Sequence, residues 1–219
     1  MLGIWARQLK KWVKMIELDQ DGGLWTVTVN RTDKANSLNR EMLTRLLEIF
    51  ENAQGARAVI LTAKGKVFSA GADLEEVRTG LAASDLWERL SSAIAALPAL
   101  KIAALNGTLA GGAMGMVLAC DLRIAVPGAN FFYPVMKRGV LPQPSDPKRM
   151  TALIGPARTR LILMAGQKIS ADEAYQFGLV DRVVPVDELS TAARDLARDA
   201  LAAAPDIASG IADLCRRQT

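Results

Sequence analysis

The sequence predicts an α/β fold in which strand–strand–helix units repeat along the chain and form two stacked sheets. Two apolar runs of strand length, at residues 58–62 and 101–105, each lead into a glycine-rich turn and then into a segment with helical character. The chain has 219 residues, of which 50% are hydrophobic. That is enough to bury one full core, so we expect one main folded unit.

Periodicity and terminators define the other elements in the first half of the chain. Residues 25–29 alternate like a strand, and residues 40–53 have helical spacing after Asn39, a favourable N-terminal cap. Residues 85–97 form a predicted helix that Pro98 ends, because proline cannot continue a helical hydrogen-bond pattern. These segments alternate with the two buried strands as the fold class requires.

The second half is predicted to alternate short strands with helices. Strands are predicted at residues 121–125, 130–133 and 179–184, and helices at residues 112–120, 157–165 and 188–203. Ser170 and Glu173 form a capping box that opens another helix, which ends at Gly178. Pro205 breaks the chain before a last short helical segment.

The two glycine-rich turns carry the clearest chemical signal. Their sequences are F-S-A-G-A-D-L at residues 68–74 and A-G-G-A-M-G at residues 110–115. Small residues between a strand and a helix leave backbone N–H groups unpaired and let another group approach closely. At a helix N-terminus those N–H groups point at negative charge. Two such turns can hold one oxygen from two sides, which is the geometry of an oxyanion hole.

These turns and their flanking segments resemble the signatures of the crotonase (enoyl-CoA hydratase/isomerase) superfamily. The resemblance extends over residues 15–189, and its other motifs follow in the family's order: R-T-D-K-A-N-S-L at 31–38, A-N-F at 129–131 with Pro134, G-P-A-R at 155–158, and S-A-D-E-A with G-L-V at 170–180. It implies the crotonase-type spiral, with two stacked sheets surrounded by helices and usually assembled as trimers or dimers of trimers. It also implies an acyl-CoA thioester as substrate, with coenzyme A as part of that substrate and no further cofactor or metal.

By this resemblance, the N–H groups of Ala70 and Gly112 are the two oxyanion-hole donors, which stabilise the enolate of the thioester by about 3 kcal/mol each. Substrate contacts are expected in both turns, in the segment that packs beside coenzyme A and after the strand at 130–133. The residues concerned are Lys34, Ala35, Ala70, Ala72, Asp73, Leu74, Gly111, Gly112, Tyr133 and Pro134. Asp73 is interpreted first as structural, because an acidic residue at a helix start also favours the helix dipole.

Both glutamates that hydratases of this family use are missing. The position three residues after the second donor is Gly115, and the position directly after Pro134 is Val135. Hydration needs one proton taken from water and another delivered to carbon, and two carboxyl groups share that work. The sequence therefore argues against two-glutamate hydration. The complete absence of histidine also excludes serine–histidine triads and histidine metal ligands.

Asp146 is the candidate for a displaced catalytic base. It lies in the loop L-P-Q-P-S-D-P at 141–147, which replaces a glycine-rich stretch of hydratase relatives, and some family members place an acidic catalytic residue close to that region. The alternative is a helix cap by Ser145 or Asp146 ahead of Pro147. Tyr133 similarly is either a hydrogen-bond donor in the substrate cleft or a core residue.

Composition and charge indicate a soluble globular protein that does not bind nucleic acid. Four of the 27 basic residues lie in the first fourteen positions, which contain no acid, so the other 23 balance the 23 acidic residues. The chain has two cysteines and no secretory or membrane-length apolar segment. This pattern predicts a reduced cytoplasmic location and no stable membrane insertion.

Three regions are expected along the chain. Residues 1–14 form a basic amphipathic extension, which either lies on an anionic membrane surface or results from an upstream start or an added segment. Residues 15–204 form the crotonase-like core, and residues 205–219 form a short C-terminal helical segment. Family members usually continue with further helices that complete the acyl pocket and trimer contacts. We therefore expect a more open pocket, a pocket that a neighbouring subunit closes differently, or altered trimer packing.

Two functions are consistent with these features. The first is an acyl-CoA enzyme that stabilises a thioester enolate without the glutamate pair. Decarboxylation suits it best, because loss of CO2 generates the enolate without a base, whereas isomerisation needs one base and hydrolysis needs an activated water. The alternative is a catalytically silent acyl-CoA-binding or assembly protein on the same fold.

Overall fold

Two β-sheets organise the chain, and helices lie around them, as predicted. The computed structural model describes residues 15–216. The predicted amphipathic extension at 1–14 lies outside the described residues, as do residues 217–219.

The described residues contain ten strands and nine α-helices. The strands are β1 (Ile16–Asp21), β2 (Leu24–Val29), β3 (Ala58–Ala63), β4 (Val67–Ser69), β5 (Leu100–Leu105), β6 (Thr108–Ala110), β7 (Leu122–Ala125), β8 (Asn130–Phe132), β9 (Ile169–Ser170) and β10 (Arg182–Val183). The helices are α1 (Arg40–Glu51), α2 (Leu74–Val77), α3 (Leu86–Ala96), α4 (Met114–Leu118), α5 (Val135–Arg138), α6 (Ser145–Leu163), α7 (Ala171–Phe177), α8 (Leu189–Ala202) and α9 (Pro205–Arg216).

The strand order confirms the predicted spiral. The larger sheet has the order β1-β2-β3-β5-β7-β10, and the smaller sheet has the order β4-β6-β8-β9. Each of β3, β5 and β7 is followed by a strand of the smaller sheet before the chain returns through helical segments. Neighbouring strands are parallel except for the β1–β2 and β8–β9 pairs. Successive turns of this spiral therefore bring the ends of β4 and β6 side by side.

Burial patterns explain the central elements. Strand β3 (A-V-I-L-T-A) is buried at every position but one, as expected for a parallel strand covered on both faces. Helix α1 is amphipathic, and its buried face consists of Met42, Leu43, Leu46, Leu47, Ile49 and Phe50. The side chain of Asn39 accepts a hydrogen bond from the Met42 N–H at 2.9 Å, which confirms the predicted cap.

Several element boundaries differ from the prediction. Strand β1, which has six residues, was not predicted. The strands β4 and β6 were not predicted either, because three residues are too few to show a periodicity. The predicted strand at 179–184 is reduced to the two residues of β10, and the predicted helix at 112–120 begins as a 3-10 turn over Gly111–Ala113. Helix α6 starts earlier than predicted and bends at Gly155, which has a φ of 76° and precedes a proline. No described helix is long and apolar enough to cross a membrane.

A repeated pairing of a buried cation with an aspartate fixes the register of the parallel strands. The buried Lys101 of β5 donates from Nζ to Asp121 at 2.9 Å, and the same carboxylate accepts from the Lys101 backbone N–H. Arg123 of β7 makes both kinds of contact with Asp181, just before β10. Because each aspartate precedes the next strand of the sheet, a shift in register would leave a buried cation unpaired.

Asn36 connects the segment before α1 to the turn between β3 and β4. It is buried, its Nδ2 donates to the carbonyl oxygens of Lys64 (2.8 Å) and Val67 (2.7 Å), and its Oδ1 accepts from the Arg31 N–H. Its φ of 54° lies in the left-handed region, which asparagine tolerates better than most residues.

Replacing Asn36 should therefore destabilise the fold strongly. In Asn36→Ala, two carbonyls and one N–H lose their partners, so we expect the free energy of unfolding to fall by about 3 kcal/mol or more in urea titrations. The control is Asn52→Ala, because Asn52 makes one exposed side-chain bond to the Glu48 carbonyl and should cost about 0.5 kcal/mol. Equal losses in the two variants would contradict this account.

Candidate active site

A cavity of about 340 Å³ lies beside the two glycine turns. Its wall is mainly apolar, and side chains that contribute to it include Leu74, Val77, Trp87, Phe132, Val135 and Leu141. The polar side chains on its wall belong to Tyr133, Arg138 and Gln143, and among the described residues no aspartate or glutamate lines it. An apolar cavity with few polar groups is typical of a small-molecule site.

The two glycine turns contact each other backbone to backbone. Gly71 has a φ of 90°, and a Cβ there would lie 2.8 Å from the carbonyl oxygen of Ala110. Gly111 also has a positive φ, of 59°, and a Cβ there would lie 3.6 Å from the Gly71 Cα. Only glycine meets both requirements at residue 71, so the sequence A-G-A brings the first turn directly against the second.

The segment at 31–38 holds the first turn in place, and one of its carbonyl groups accepts a hydrogen bond from a predicted oxyanion-hole donor. The Ala70 N–H donates to the Ala35 carbonyl at 3.0 Å. The Leu38 N–H donates to the Gly71 carbonyl, and the Asp73 N–H donates to the Leu38 carbonyl. The Ala70 N–H is therefore not free to bind a ligand in this structure, and its predicted role as first donor does not fit the geometry.

The neighbouring N–H, that of Ala72, is free. Because successive N–H groups point to opposite sides of an extended backbone, the Ala72 N–H points away from Leu38. It has no hydrogen-bond partner among the described residues, and Ala72 lines the cavity. Gly112 lines the same cavity as the second residue of the 3-10 turn before α4, where helical geometry supplies no carbonyl for the first N–H groups.

Asp73 stabilises the first turn through side-chain hydrogen bonds and an ion pair outside the cavity. Its side chain accepts from the N–H groups of Glu75 and Glu76 at the start of α2, and it pairs with Arg31 at 2.7 Å. Burial opposes its ionisation, but the hydrogen bonds from Arg31 and the two N–H groups outweigh burial and leave the pKa of Asp73 below its ordinary value. The structural interpretation of this residue is confirmed.

The cavity brings together seven of the residues predicted to contact substrate. They are Ala70, Ala72, Leu74, Gly111, Gly112, Tyr133 and Pro134. Lys34 and Ala35 are exposed beside the first turn and do not line the cavity, and the buried Asp73 does not line it either.

Asp146 lies behind the cavity wall. Its carboxyl is completely buried and accepts from the Tyr133 hydroxyl at 2.9 Å, and Tyr133 lines the cavity. Burial raises the pKa of Asp146 to about 7, and Glu88 adds to the rise while Tyr133 and Arg149 oppose it. The predicted capping role for Ser145 or Asp146 is wrong, because α6 begins at Ser145, its N-cap residue is Pro144, and the Ser145 N–H donates to the Glu88 carboxylate instead.

Trp87 is the main wall residue that sequence analysis missed. Its ring lies against Gly112, where a Cβ would be 3.3 Å from two ring carbons, and its Nε1 donates to the Leu81 carbonyl. Helical spacing places Trp87 on the buried face of α3 with Leu86 and Leu90. That spacing could have identified a core residue, but it does not indicate contact with the second turn.

Comparison with known proteins agrees with this geometry. The sequence profile of the enoyl-CoA hydratase/isomerase family matches residues 19–219. The chain belongs to the enoyl-CoA hydratase/isomerase family. The predicted superfamily and fold are thereby confirmed, and so is the prediction of an acyl-CoA enzyme of this family.

Relatives in the enoyl-CoA hydratase/isomerase family carry more than one reaction in their names. The short-chain-enoyl-CoA hydratase of Clostridium acetobutylicum is 33% identical over 201 residues, which cover 86% of this chain and 76% of that protein. The 4-chlorobenzoyl coenzyme A dehalogenase-2 of an Arthrobacter species is 32% identical over 209 residues, which cover 90% and 75%. The crystal structure of enoyl-CoA hydratase from Bacillus anthracis superposes with a TM-score of 0.82 at 32% identity, covering 91% of this chain and 81% of that one. Similarity at this level therefore leaves the reaction of this chain a prediction.

The contact between the turns should not tolerate a side chain at residue 71. In Gly71→Ala, the Cβ would strain a φ of 90° and meet the Ala110 carbonyl oxygen at 2.8 Å. We expect a loss of about 2 to 4 kcal/mol in the free energy of unfolding, measured by denaturant titration. Gly128→Ala is the matched control, because no atom lies within 4 Å of a Cβ there. A variant at 71 as stable as the one at 128 would contradict the contact.

The buried carboxyl of Asp146 should make stability fall as pH rises. Its pKa is about 7 in the folded protein against an ordinary value of 3.8, so between these pH values the folded state binds more protons than the unfolded state. The free energy of unfolding should therefore decrease from pH 4 to pH 7 by an amount on the order of 3 kcal/mol. Asp146→Asn keeps an acceptor for Tyr133 and should remove this contribution. Urea titrations at several pH values test this, and an unchanged pH dependence in the variant would contradict it.

Proposed function

We propose that this chain binds the thioester of an acyl-CoA in the cavity beside the glycine turns and stabilises its enolate. The thioester oxygen would accept hydrogen bonds from the N–H groups of Ala72 and Gly112. The supporting observation is that both residues line one cavity while their N–H groups lack the backbone partners that neighbouring N–H groups have. Such donors act most strongly on charge that develops during the reaction.

Ala72 replaces Ala70 as the first donor in this proposal. Ala70 lines the cavity, but its N–H is bonded to the Ala35 carbonyl. This hydrogen bond contributes to catalysis indirectly, because it holds the turn so that the N–H of Ala72 faces the cavity.

Decarboxylation of a malonyl-type thioester is the reaction that we propose. In the described residues no carboxylate lines the cavity, and Val135 lines it at the position where the motif resemblance implies a glutamate in hydratases. A reaction that needs a carboxylate in contact with the substrate is therefore disfavoured. Loss of CO2 leaves an enolate without a base, so two well-placed donors suffice for the step that breaks the C–C bond.

Arg138 supports an anionic acyl group. It is exposed at the rim of the cavity, and its guanidinium is the only cationic group that the described residues place on the cavity wall. A carboxylate on the acyl group would pair with it on entry. Because the pair is exposed, Arg138 would contribute to the rate of binding more than to affinity.

The reaction is tested by incubating the protein in D2O with crotonyl-CoA, a 3-hydroxyacyl-CoA and malonyl-type esters, followed by mass spectrometry. We expect loss of CO2 from a malonyl-type ester with deuterium at the α-carbon of the product. Gain of water by crotonyl-CoA would contradict the proposal. An unchanged panel from folded protein that still binds these esters would favour the silent acyl-CoA-binding alternative.

The oxyanion hole has its own test, which does not need turnover. Ala72→Pro removes the proposed donor N–H, whereas Ala72→Gly keeps it and serves as the matched control. With 13C-labelled butyryl-CoA bound, the thioester C=O stretch should move to lower frequency in the wild type and in Ala72→Gly, but much less in Ala72→Pro. Turnover of a reactive ester should fall by roughly 100-fold to 1,000-fold in the proline variant alone. Equal C=O frequencies in the two folded variants would exclude the Ala72 N–H as a donor.

A further inference from the structure

We infer that the Tyr133 hydroxyl transfers a proton to the α-carbon of the enolate. We also infer that Asp146, which lies outside the cavity, positions this hydroxyl and exchanges a proton with it. The inference rests on the proposed function, because it requires an enolate in the cavity. It concerns a pair of residues that the oxyanion hole alone does not use.

The position of Tyr133 makes it the polar connection between the cavity and the carboxyl. Tyr133 lines the cavity but is only 5% exposed, and its hydroxyl donates to Asp146 Oδ2 at 2.9 Å. Asp146 itself is 0% exposed and does not line the cavity. Of the described residues on the cavity wall, Tyr133 alone makes a side-chain hydrogen bond to Asp146. A proton from the cavity therefore has a direct path to Asp146 through this hydroxyl.

Gly115 provides the space that the carboxyl occupies. A Cβ at residue 115 would lie 2.6 Å from Asp146 Oδ1 and 3.1 Å from Oδ2. These distances are too short for any side chain, so the carboxyl sits against the backbone of α4, one helical turn beyond Gly112. The glycine at 115 and the aspartate at 146 are thus a matched pair.

The hydrogen bonding of Asp146 is incomplete, which distinguishes it from a structural carboxyl. Oδ2 accepts from Tyr133, but Oδ1 is buried and has no hydrogen-bond partner among the described residues. An ionised carboxylate with one buried oxygen unpaired is costly, and a neutral carboxyl reduces that cost. Buried polar atoms are nearly always satisfied in a purely structural role, so an unsatisfied one calls for another explanation.

The charged groups around Asp146 allow its carboxyl to gain or lose a proton near neutral pH. Arg149 from α6 and Glu88 from α3 are the charged groups that face Asp146, and Ser145 connects them through hydrogen bonds to both. Their effects on Asp146 oppose each other, so burial sets its pKa at about 7. Burial, and after it the nearby Asp146, raise the pKa of Tyr133 well above its ordinary value, so the phenol stays neutral between transfers.

The proton balance is simple. When CO2 leaves, the C–C electron pair forms the enolate, and the α-carbon then takes the phenolic hydrogen of Tyr133. In this step the hydrogen bond of the structure is reversed: the Tyr133 hydroxyl turns its hydrogen to the α-carbon, and its oxygen accepts from the protonated Oδ2 of neutral Asp146. The phenolic oxygen then takes that proton, and Asp146 becomes a carboxylate. Water that enters the emptied cavity returns one proton to Asp146 by the same path. One proton is consumed for each CO2 released, as decarboxylation of a carboxylate requires.

The reverse transfer gives a test that does not depend on the natural acyl group. In D2O the exchangeable phenolic hydrogen of Tyr133 is deuterium. An α-hydrogen of bound butyryl-CoA passes to the Tyr133 oxygen while the phenolic deuterium passes to ionised Asp146. After the two isotopes exchange places within this pair, the Tyr133 hydroxyl returns deuterium to the α-carbon, and the substrate hydrogen left on Asp146 exchanges with water when the cavity empties. Mass spectrometry measures the rate of this exchange. Because the first transfer needs ionised Asp146, the wild-type rate should rise with pH and level off above about pH 7.

Two variants and one control separate the roles. Tyr133→Phe should slow exchange by on the order of 100-fold or more. Asp146→Asn still accepts a hydrogen bond from Tyr133 but cannot take a proton, so exchange should slow and lose its rise with pH. Tyr175→Phe is the control, because Tyr175 is 56% exposed on α7, away from the cavity wall, and its loss should change neither.

The carbonyl frequency of bound 13C-labelled butyryl-CoA distinguishes failure of this inference from failure of the proposed function. If all variants keep the frequency shift of the wild type while only those at 133 and 146 lose exchange, the inference stands. If folded Tyr133→Phe exchanges at the wild-type rate, or the wild type shifts the carbonyl but exchanges nothing, the inference is overturned and the oxyanion hole remains. If the wild type shows no shift at all, the proposed function itself fails.

Discussion

The backbone contact between Gly71 and the Ala110–Gly111 peptide sets the geometry of everything around the cavity. Neither turn could approach the other with a side chain at residue 71, because a Cβ would meet the Ala110 carbonyl oxygen at 2.8 Å. The spiral delivers β4 and β6 as parallel neighbours, and the two turns are their continuations. The sheet therefore fixes the distance between the turns, and the glycines let that distance be short. Ala72 and Gly112 line one cavity as a consequence.

The same contact explains why the first turn needs support from elsewhere. A turn made of small residues has no side chains to anchor it, so the segment at 31–38 provides the anchor. The Ala35 carbonyl binds the Ala70 N–H, Leu38 pairs with both sides of residue 72, and Arg31 pairs with Asp73. These bonds order the turn before any ligand arrives, and such preorganisation is what makes backbone donors effective. Ala35 thus acts on the site through its carbonyl, which holds the backbone of the first turn.

Local sequence predicted the parts of this site that depend on local chemistry. The strand–turn–helix pattern and the motif F-S-A-G-A-D-L located both turns, and Ser170 with Glu173 located a capping box that the structure confirms. The choice between Ala70 and Ala72 could not be made in this way, because it depends on which N–H pairs with a segment distant in sequence. The position of Asp146 depends on the space over Gly115, which only the packing of α6 against α4 reveals. Short strands such as β4 and β10 were missed or overextended for a related reason, since their pairing partners and not their own residues define them.

Two buried aspartates show how the fold assigns opposite roles to one residue type. Asp73 receives hydrogen bonds from Arg31 and from two helix N–H groups, which together outweigh burial and keep its carboxylate ionised. Asp146 receives one hydrogen bond, from a neutral phenol, and burial prevails. A carboxylate whose oxygens all accept hydrogen bonds stays ionised. A buried carboxyl with one unpaired oxygen has a pKa nearer neutrality and gains or loses a proton more easily. The fold places the first kind beside the first glycine turn and the second beside Tyr133, which carries the only hydroxyl among the described residues that line the cavity. This division follows from the donors available at each position, and it needs no carboxylate in contact with the substrate.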